Sequence, residues 1–225
     1  MTVKPPRVVT YGDSAVLVIL GETVDPEVNA AVHRLASAVR AAAATGMPFG
    51  APVPGYASLL VPVDPLLVGA AATSDALLQL AVRALEHRDD GDRARREITI
   101  ATRYGGEDGP DLAEVARHAG LRPADVVELH ASVAYRVYML GFAPGFAYLG
   151  DVPPAIATPR RETPRPRVPA GSVAIADSQT AVYPFHSPGG WQLIGRTEVV
   201  LWDAARNPPA LLEPGDRVRF VPSES

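Results

Sequence analysis

Apolar residues recur at two different spacings along the first ninety or so positions. Residues 7–20 (RVVTYGDSAVLVIL) alternate around a Tyr11-Gly12-Asp13 turn, which predicts a short strand and then a buried strand over 15–20. From Asp25-Pro26 the period lengthens. Val28, Val32, Leu35 and Val39 share one face while His33, Ser37 and Arg40 share the other, so a helix is expected to about Ala44. Asp25 is placed to cap it, and Pro26 suits the first helical position. GMPFGAPVPG (46–55) reads as a turn-rich link, YASLLVPV (56–63) as a strand, and 65–87 as a second amphipathic helix carrying Leu66, Leu77, Leu78, Leu80 and Leu85. Strands and helices thus alternate as in a small α+β sandwich of ferredoxin-like type.

A charge run, HRDDGDRARR (87–96), interrupts this pattern and reads as a solvated linker. The expected organisation is an α+β domain over 1–88, a linker over 89–96 and a second domain over 97–225. The second domain opens with a strand (EITIAT) and a loop (YGGEDGP). Asp111 then stands where it would cap a helix over 112–119, closed by Gly120. His118 falls in that helix's last turn, where the dipole favours a cation, and His130 falls near the end of a second helix over 124–131. Strands are expected over 135–140, 172–176, 192–195, 199–202 and 217–220, the last entered through a Pro214-Gly215-Asp216 turn. Many short strands between Pro/Gly turns predict a mostly-β barrel.

Composition singles out residues 141–197. This stretch holds Phe142, Phe146, Tyr148, Tyr183, Phe185 and Trp191 together with a concentration of Pro, Gly and Arg. Prolines fix φ and glycines open positive φ, so rigid irregular loops are expected here, the kind that carry sites on a scaffold. Two absences narrow the chemistry. No cysteine is present, which removes disulfides, thiolate nucleophiles and Cys-ligated metals and suits a cytoplasmic protein. Lys4 is the only lysine, which excludes a P-loop, a mid-chain Schiff-base or biotin-carrying lysine, and a Ser–Ser–Lys amidase. The net charge of −4 shows no basic stripe for nucleic acid, no apolar run is long enough to span a membrane, and the N-terminal MTVKPPRVVTYGD has no apolar signal core, so export is not expected. The histidines at 33, 87, 118, 130 and 186 make no metal-ligand spacing, so no metal site is expected on this chain. Ser172 and Ser187 stand in no GxSxG elbow.

YGGEDGPDL, ELH, YRVYMLGFAPGFAYLG, PRRETPRPRVPAGSVAIA, QT-VYP, SPGGWQLIGRT and LLEPGDRVRF resemble the motifs of one family. It includes the B subunit of bacterial 5-oxoprolinase, the kinase inhibitor KipI and allophanate hydrolase subunit 1. NAAVHRLASAV and PGYASLLVPVDP match its N-terminal part, so the resemblance covers nearly the whole chain. It implies a small α+β domain followed by a cyclophilin-like barrel. It also implies one component of a multi-chain, ATP-dependent amide or lactam hydrolase, with 5-oxoproline as the expected substrate. The implied partners are a C subunit related to allophanate hydrolase subunit 2 and a separate A subunit, with ATP, and Mg, at the level of the complex. Urea or another small amide is the alternative substrate. A KipI-like, non-catalytic inhibitor of a sensor histidine kinase is the alternative class, and prolyl isomerase activity follows only from the barrel analogy. Two positions depart from the family's IAG-x-QTGIYP: Asp177 and Ala181 stand where glycines are usual. If those glycines hold positive φ, Ala181 costs about 1 kcal/mol and Asp177 less.

ATP-coupled lactam hydrolysis needs cationic donors for phosphate and oxyanion, and a general base. Arginine's planar fork suits the first task, and Arg160, Arg161, Arg165, Arg167 and Arg196 outnumber the nearby acids Asp151 and Glu162. His130 is the candidate base, with Arg160 and Arg196 as its catalytic companions. Phe142, Phe146, Tyr148 and Trp191 are expected as an apolar wall, with Tyr183 among the substrate-binding residues. Arg165, Arg167, Ser172, Gln179, Ser187, Gly189 and Gly190 are expected to complete a polar substrate pocket.

Overall fold

A computed structural model describes residues 5–67, 70–86 and 96–223. The chain divides into two compact units, Met1–Arg93 and Ala94–Ser225.

In the first unit, β1 (Arg7–Tyr11), β2 (Ala15–Ile19), α1 (Pro26–Ala44), β3 (Val53–Pro54), β4 (Ser58–Pro62) and α2 (Ala70–Glu86) follow in order. The strands form one antiparallel sheet, β1-β2-β4-β3. Alternation along β2 and β4 sends Val16, Val18, Leu59 and Val61 inward, where they share a core with Val32, Leu35 and Val39 of α1 and Leu77 of α2. The Asp25 cap forms as expected: its Oδ1 accepts from the N–H groups of Glu27 (2.8 Å) and Val28 (3.0 Å), a contribution of about 1 kcal/mol. Buried Asn29 donates to the carbonyls of Gly55 and Tyr56, pinning α1 to the link. That link contains the short strand β3, which its turn-rich composition did not announce. Leu66 is not on a helix face; it is exposed, ahead of the first residue of α2.

The second unit continues with β5 (Glu97–Tyr104), α3 (Leu112–Ala119), α4 (Pro123–Ala131), β6 (Ala134–Leu140), β7 (Ala147–Gly150), β8 (Arg165–Val168), β9 (Ser172–Ala176), β10 (Gln179–Val182), β11 (Ser187–Gly189), β12 (Gln192–Arg196) and β13 (Arg217–Pro222). Seven strands close a barrel in the order β10-β7-β6-β13-β5-β12-β9, and β8 and β11 pair as a separate ribbon. Only β5 and β13 run parallel among the barrel's pairs. Ile100, Val137, Leu149, Ile175, Ile194 and Phe220 fill the barrel core together with Leu112 and Val115 of α3 and Val126 of α4.

Two local expectations are corrected here. Residues 199–202 form no strand, only an isolated bridge from Trp202 to Ala210. Asp111 does precede α3, but its side chain makes no cap bond because its carboxylate is engaged elsewhere. Of the expected linker over 89–96, only Arg96 lies within the described residues, where its Nη2 pairs with buried Asp216 at 2.6 Å.

Candidate functional site

The 141–197 stretch wraps one face of the barrel around a second apolar cluster. Phe146, Tyr183 and Trp191 pack there with Val168, Ala174, Ala176, Ala181 and Leu193. Phe146 is the hub: the rings of Phe142, Tyr148, Tyr183 and Trp191 meet it edge to face at centroid distances of 5.2, 5.0, 5.4 and 5.9 Å. This is the geometry that opposes the positive ring edge to the negative face. A cleft of about 210 Å³ opens on these rings, completed by Arg160, Arg161, Pro164, Pro188, Gly189 and Gly190.

Backbone geometry shapes the cleft's rim and floor. Phe142 sits at φ +65°, a left-handed conformation that costs a bulky residue about 1–2 kcal/mol, and its ring is 61% exposed. The turn is held by Ala143 N–H donating to Gly141 O (2.7 Å), Phe146 N–H to Ala143 O (3.0 Å) and Gly141 N–H to Phe146 O (3.1 Å). On the floor, a Cβ at Gly189 would stand 2.4 Å from Tyr183 Oη, whereas one at Gly190 would meet nothing nearer than 3.6 Å. Only the first position therefore demands glycine.

The electrostatics centre on a residue that local sequence rules make a helix cap. Asp111 is buried, and its Oδ1 accepts from Arg165 Nη2 (2.7 Å) and Arg161 Nη1 (3.2 Å) while Oδ2 accepts from the Leu193 N–H (2.7 Å). The loop bearing both arginines is thereby fixed to β12, and Arg161 N–H adds a bond to Gly190 O at 2.7 Å. Arg160 lies with its guanidinium carbon 5.8 Å from the Trp191 ring centroid, a cation–π contact. Its nearest acid, Asp177, is 3.9 Å away, and both side chains are more than half exposed. Burial raises the pKa of the Tyr148 and Tyr183 hydroxyls, and the charge of Arg160 opposes that rise in both.

The cleft thus gathers Phe142, Phe146, Tyr148, Tyr183, Trp191, Arg160, Gly189 and Gly190 from the expected set. Arg165 stands behind it on Asp111. Arg196 donates to Ala170 O (3.2 Å) and faces Asp108 at 4.0 Å, outside the lining. Ser172 is buried in β9, and Gln179, Ser187 and exposed Arg167 lie on β10, β11 and β8 without lining the cleft. Sequence reasoning misses Pro164, Pro188 and Asp111 as parts of the site.

The general-base reading of His130 is corrected by its surroundings. The ring has no exposed surface and packs among Tyr104, Tyr135 and Phe220. Thr180 Oγ1 spends its one proton on Ala174 O (2.9 Å), so at 2.9 Å from His130 Nε2 it must accept. Nε2 therefore carries the ring proton, and Nδ1 accepts from Tyr104 Oη at 2.7 Å. Both nitrogens of a neutral imidazole are used. Burial depresses its pKa from 6.5 to about 3.

Among the described residues, no three His, Asp or Glu side chains gather as a metal site, and no helix is long and apolar enough to cross a membrane. The Asp177 and Ala181 departures separate: Asp177 adopts φ +52°, while Ala181 lies in ordinary β10 pairing opposite Ala174. The strain expected at Ala181 is absent.

The chain is 42% identical over 228 aligned positions to the B subunit of the 5-oxoprolinase of Bacillus subtilis, covering 98% of this chain and 94% of that one. Among solved structures it resembles TTHA0988, with a TM-score of 0.77 and 42% identity, over 94% of this chain and 40% of that longer chain. The urea carboxylase of Kluyveromyces lactis shares the fold at 20% identity and a TM-score of 0.71, over 97% of this chain and 22% of that one. A family model described as carboxyltransferase domain, subdomain C and D, matches residues 6–212. With the family model and a near-full-length likeness in agreement, the chain belongs to the carboxyltransferase subdomain C and D family.

Proposed function

We propose that this chain is the B subunit of a multi-chain, ATP-dependent hydrolase that opens the lactam ring of 5-oxoproline to glutamate. The observation that carries this reading is the 42% identity to the B subunit of a 5-oxoprolinase, which extends over nearly the full length of both chains. Water adds across the lactam C–N bond, and ATP hydrolysis drives the reaction. Such a step asks for cations beside the developing oxyanion, a dry wall for the ring and a base for the attacking water. The cleft lining offers two arginines and five aromatic side chains but no carboxylate, histidine or lysine. That composition supports half a site, whose base and nucleotide come from companion C and A subunits in the cytoplasm.

The β1-β2-β4-β3 order matches a ferredoxin-like sheet whose final strand has been carried to the front of the chain. The closed barrel is read as cyclophilin-like, and residues 89–96 as the linker between the two domains.

The test is ATP-dependent glutamate release from 5-oxoproline by the chain assembled with its companion subunits, beside the same complex carrying Gly190→Leu. A Cβ at Gly190 meets nothing nearer than 3.6 Å, so a leucine there would project from the cleft's floor into the space a ligand would use. The expected outcome is turnover by the first and its loss in the second, with assembly intact. No glutamate from the complete complex refutes the proposal. Urea-type amide cleavage instead would assign the other branch of the family, and tight binding of a sensor histidine kinase by the chain alone would assign the inhibitor class.

A further inference from the structure

The cleft's charges do not balance, and the imbalance is localised. Arg160, Arg161 and Arg165 face two carboxylates, Asp111 and Asp177. Asp111 is saturated by Arg161, Arg165 and the Leu193 N–H. Asp177 reaches Arg160 only at 3.9 Å, between two largely exposed side chains, where an ion pair contributes little. Among the described residues, then, Arg160 makes no hydrogen bond while it lines the cleft, steadied over Trp191. One further N–H group on the lining residues, Arg161 Nε, is buried without an acceptor, as is Arg165 Nη1 behind the lining. Buried donors are ordinarily paired, so orphans beside a surplus cation mark a place where an acceptor is missing.

The walls restrict what that acceptor belongs to. Phe142 and Tyr148 present ring surface, Trp191 is nearly covered and carries Arg160, and the Gly189-Gly190 floor brings backbone close without side-chain bulk. A small flat ring fits against the aromatics within about 210 Å³. Its oxyanion then meets the guanidinium fork, which pairs with planar carboxylate or with phosphoryl oxygens in two parallel bonds.

We infer that Arg160 is the specificity-determining residue of an oxyanion subsite in this cleft, reading the carboxylate or phosphoryl group of a small, flat ligand stacked on Tyr148 and Phe142. This rests on the proposed hydrolase function for the name of the ligand, but not for its chemistry.

Steady-state kinetics of the assembled complex separate the possibilities. In Arg160→Gln, KM for 5-oxoproline rises about 10- to 100-fold, the loss of one charge-assisted contact. Inhibition by 2-pyrrolidinone, the same ring without a carboxylate, stays unchanged, and Arg160→Lys falls between because it keeps the charge and loses the fork. Arg117→Gln, on the exposed face of α3, behaves as wild type. If KM for ATP rises instead, the subsite stands and the oxyanion it reads is phosphoryl. Unchanged KM values for both ligands overturn the inference. Should the wild-type complex release no glutamate, the hydrolase reading fails separately. Calorimetric titration of that complex with 5-oxoproline and with inorganic phosphate then decides the subsite: Arg160-dependent binding of either retains it, and binding of neither, or binding indifferent to Arg160→Gln, removes it.

Discussion

Replacing Asp111 with asparagine tests whether one buried carboxylate holds the cleft together. Asparagine keeps the shape and one acceptor oxygen but turns the other into a donor. If the oxygen faces the arginines, the NH₂ group confronts the Leu193 N–H that Oδ2 now accepts at 2.7 Å. If it faces Leu193, the NH₂ group confronts Arg165 Nη2 and Arg161 Nη1. Either way one buried donor is orphaned, at about 1–3 kcal/mol, and both guanidiniums lose their counter-charge. Arg161 is 36% exposed and can turn toward water, so its share is small; Arg165, at 21%, carries most of the loss. Breaking a buried pair costs about 3–5 kcal/mol, and the partial exposure of Arg165 places the expectation near the lower end, about 3 kcal/mol. Urea unfolding followed by tryptophan fluorescence reads this directly, because Trp191 and Trp202 both lie in the barrel unit. The midpoint falls with m unchanged. In the Asp111→Asn background, Arg165→Gln costs less than it does alone, with a coupling of about 1.5 kcal/mol or more. A loss below about 1 kcal/mol, or strict additivity, would refute the anchoring role.

Two further expectations concern His130 and the departures at 177 and 181. The folded pKa of His130 is depressed to about 3 against an ordinary 6.5, so between those values the unfolded chain binds the extra proton. Its stabilising contribution is therefore full above about pH 6.5 and is lost on acidification, by about 1.4 kcal/mol per pH unit down to about pH 3. Urea midpoints at several pH values should show a shallower acid decline in His130→Gln; equal slopes would mean that His130 does not titrate on unfolding. Asp177→Gly relieves the φ +52° backbone and should stabilise by about 0.5–1 kcal/mol. Ala181→Gly, inside β10 and fully buried, should destabilise by about 1 kcal/mol. Thermal melts giving the two changes the same sign would contradict the backbone assignment.

What was legible in the sequence, and what was not, follows the range of the forces involved. The α1 helix, its Asp25 cap and the alternation of β2 and β4 rest on interactions within a few residues, and pattern reading finds them. The aromatic wall was legible for a related reason, since its residues are concentrated in one Pro/Gly-rich stretch. Residues 199–202 are an unbroken apolar run that reads as a strand, but a barrel already closed by seven strands leaves no edge for them to join. Asp111 obeys the local rule for a cap yet loses its carboxylate to arginines 50 and 54 positions downstream. Charge-assisted bonds in a buried site outcompete the N–H groups at the start of α3. His130 is misread in the same way, its two nitrogens being closed by Tyr104 and Thr180, 26 and 50 positions away.

The arginine surplus shows how a long-range fold can sharpen a sequence argument rather than cancel it. Counting neighbours in sequence sets five arginines against Asp151 and Glu162. Asp151 instead accepts from Tyr138, while Asp111 takes Arg161 and Arg165, and Asp108 faces Arg196 at 4.0 Å. Arg167 stays exposed on β8, away from the cleft lining. Only Arg160 lines the cleft without a hydrogen bond among the described residues, over a ring that holds it in place. A cation in that position keeps its hydration and its contact with the Trp191 ring, and it can meet a ligand's oxyanion without first breaking a strong pair of its own chain.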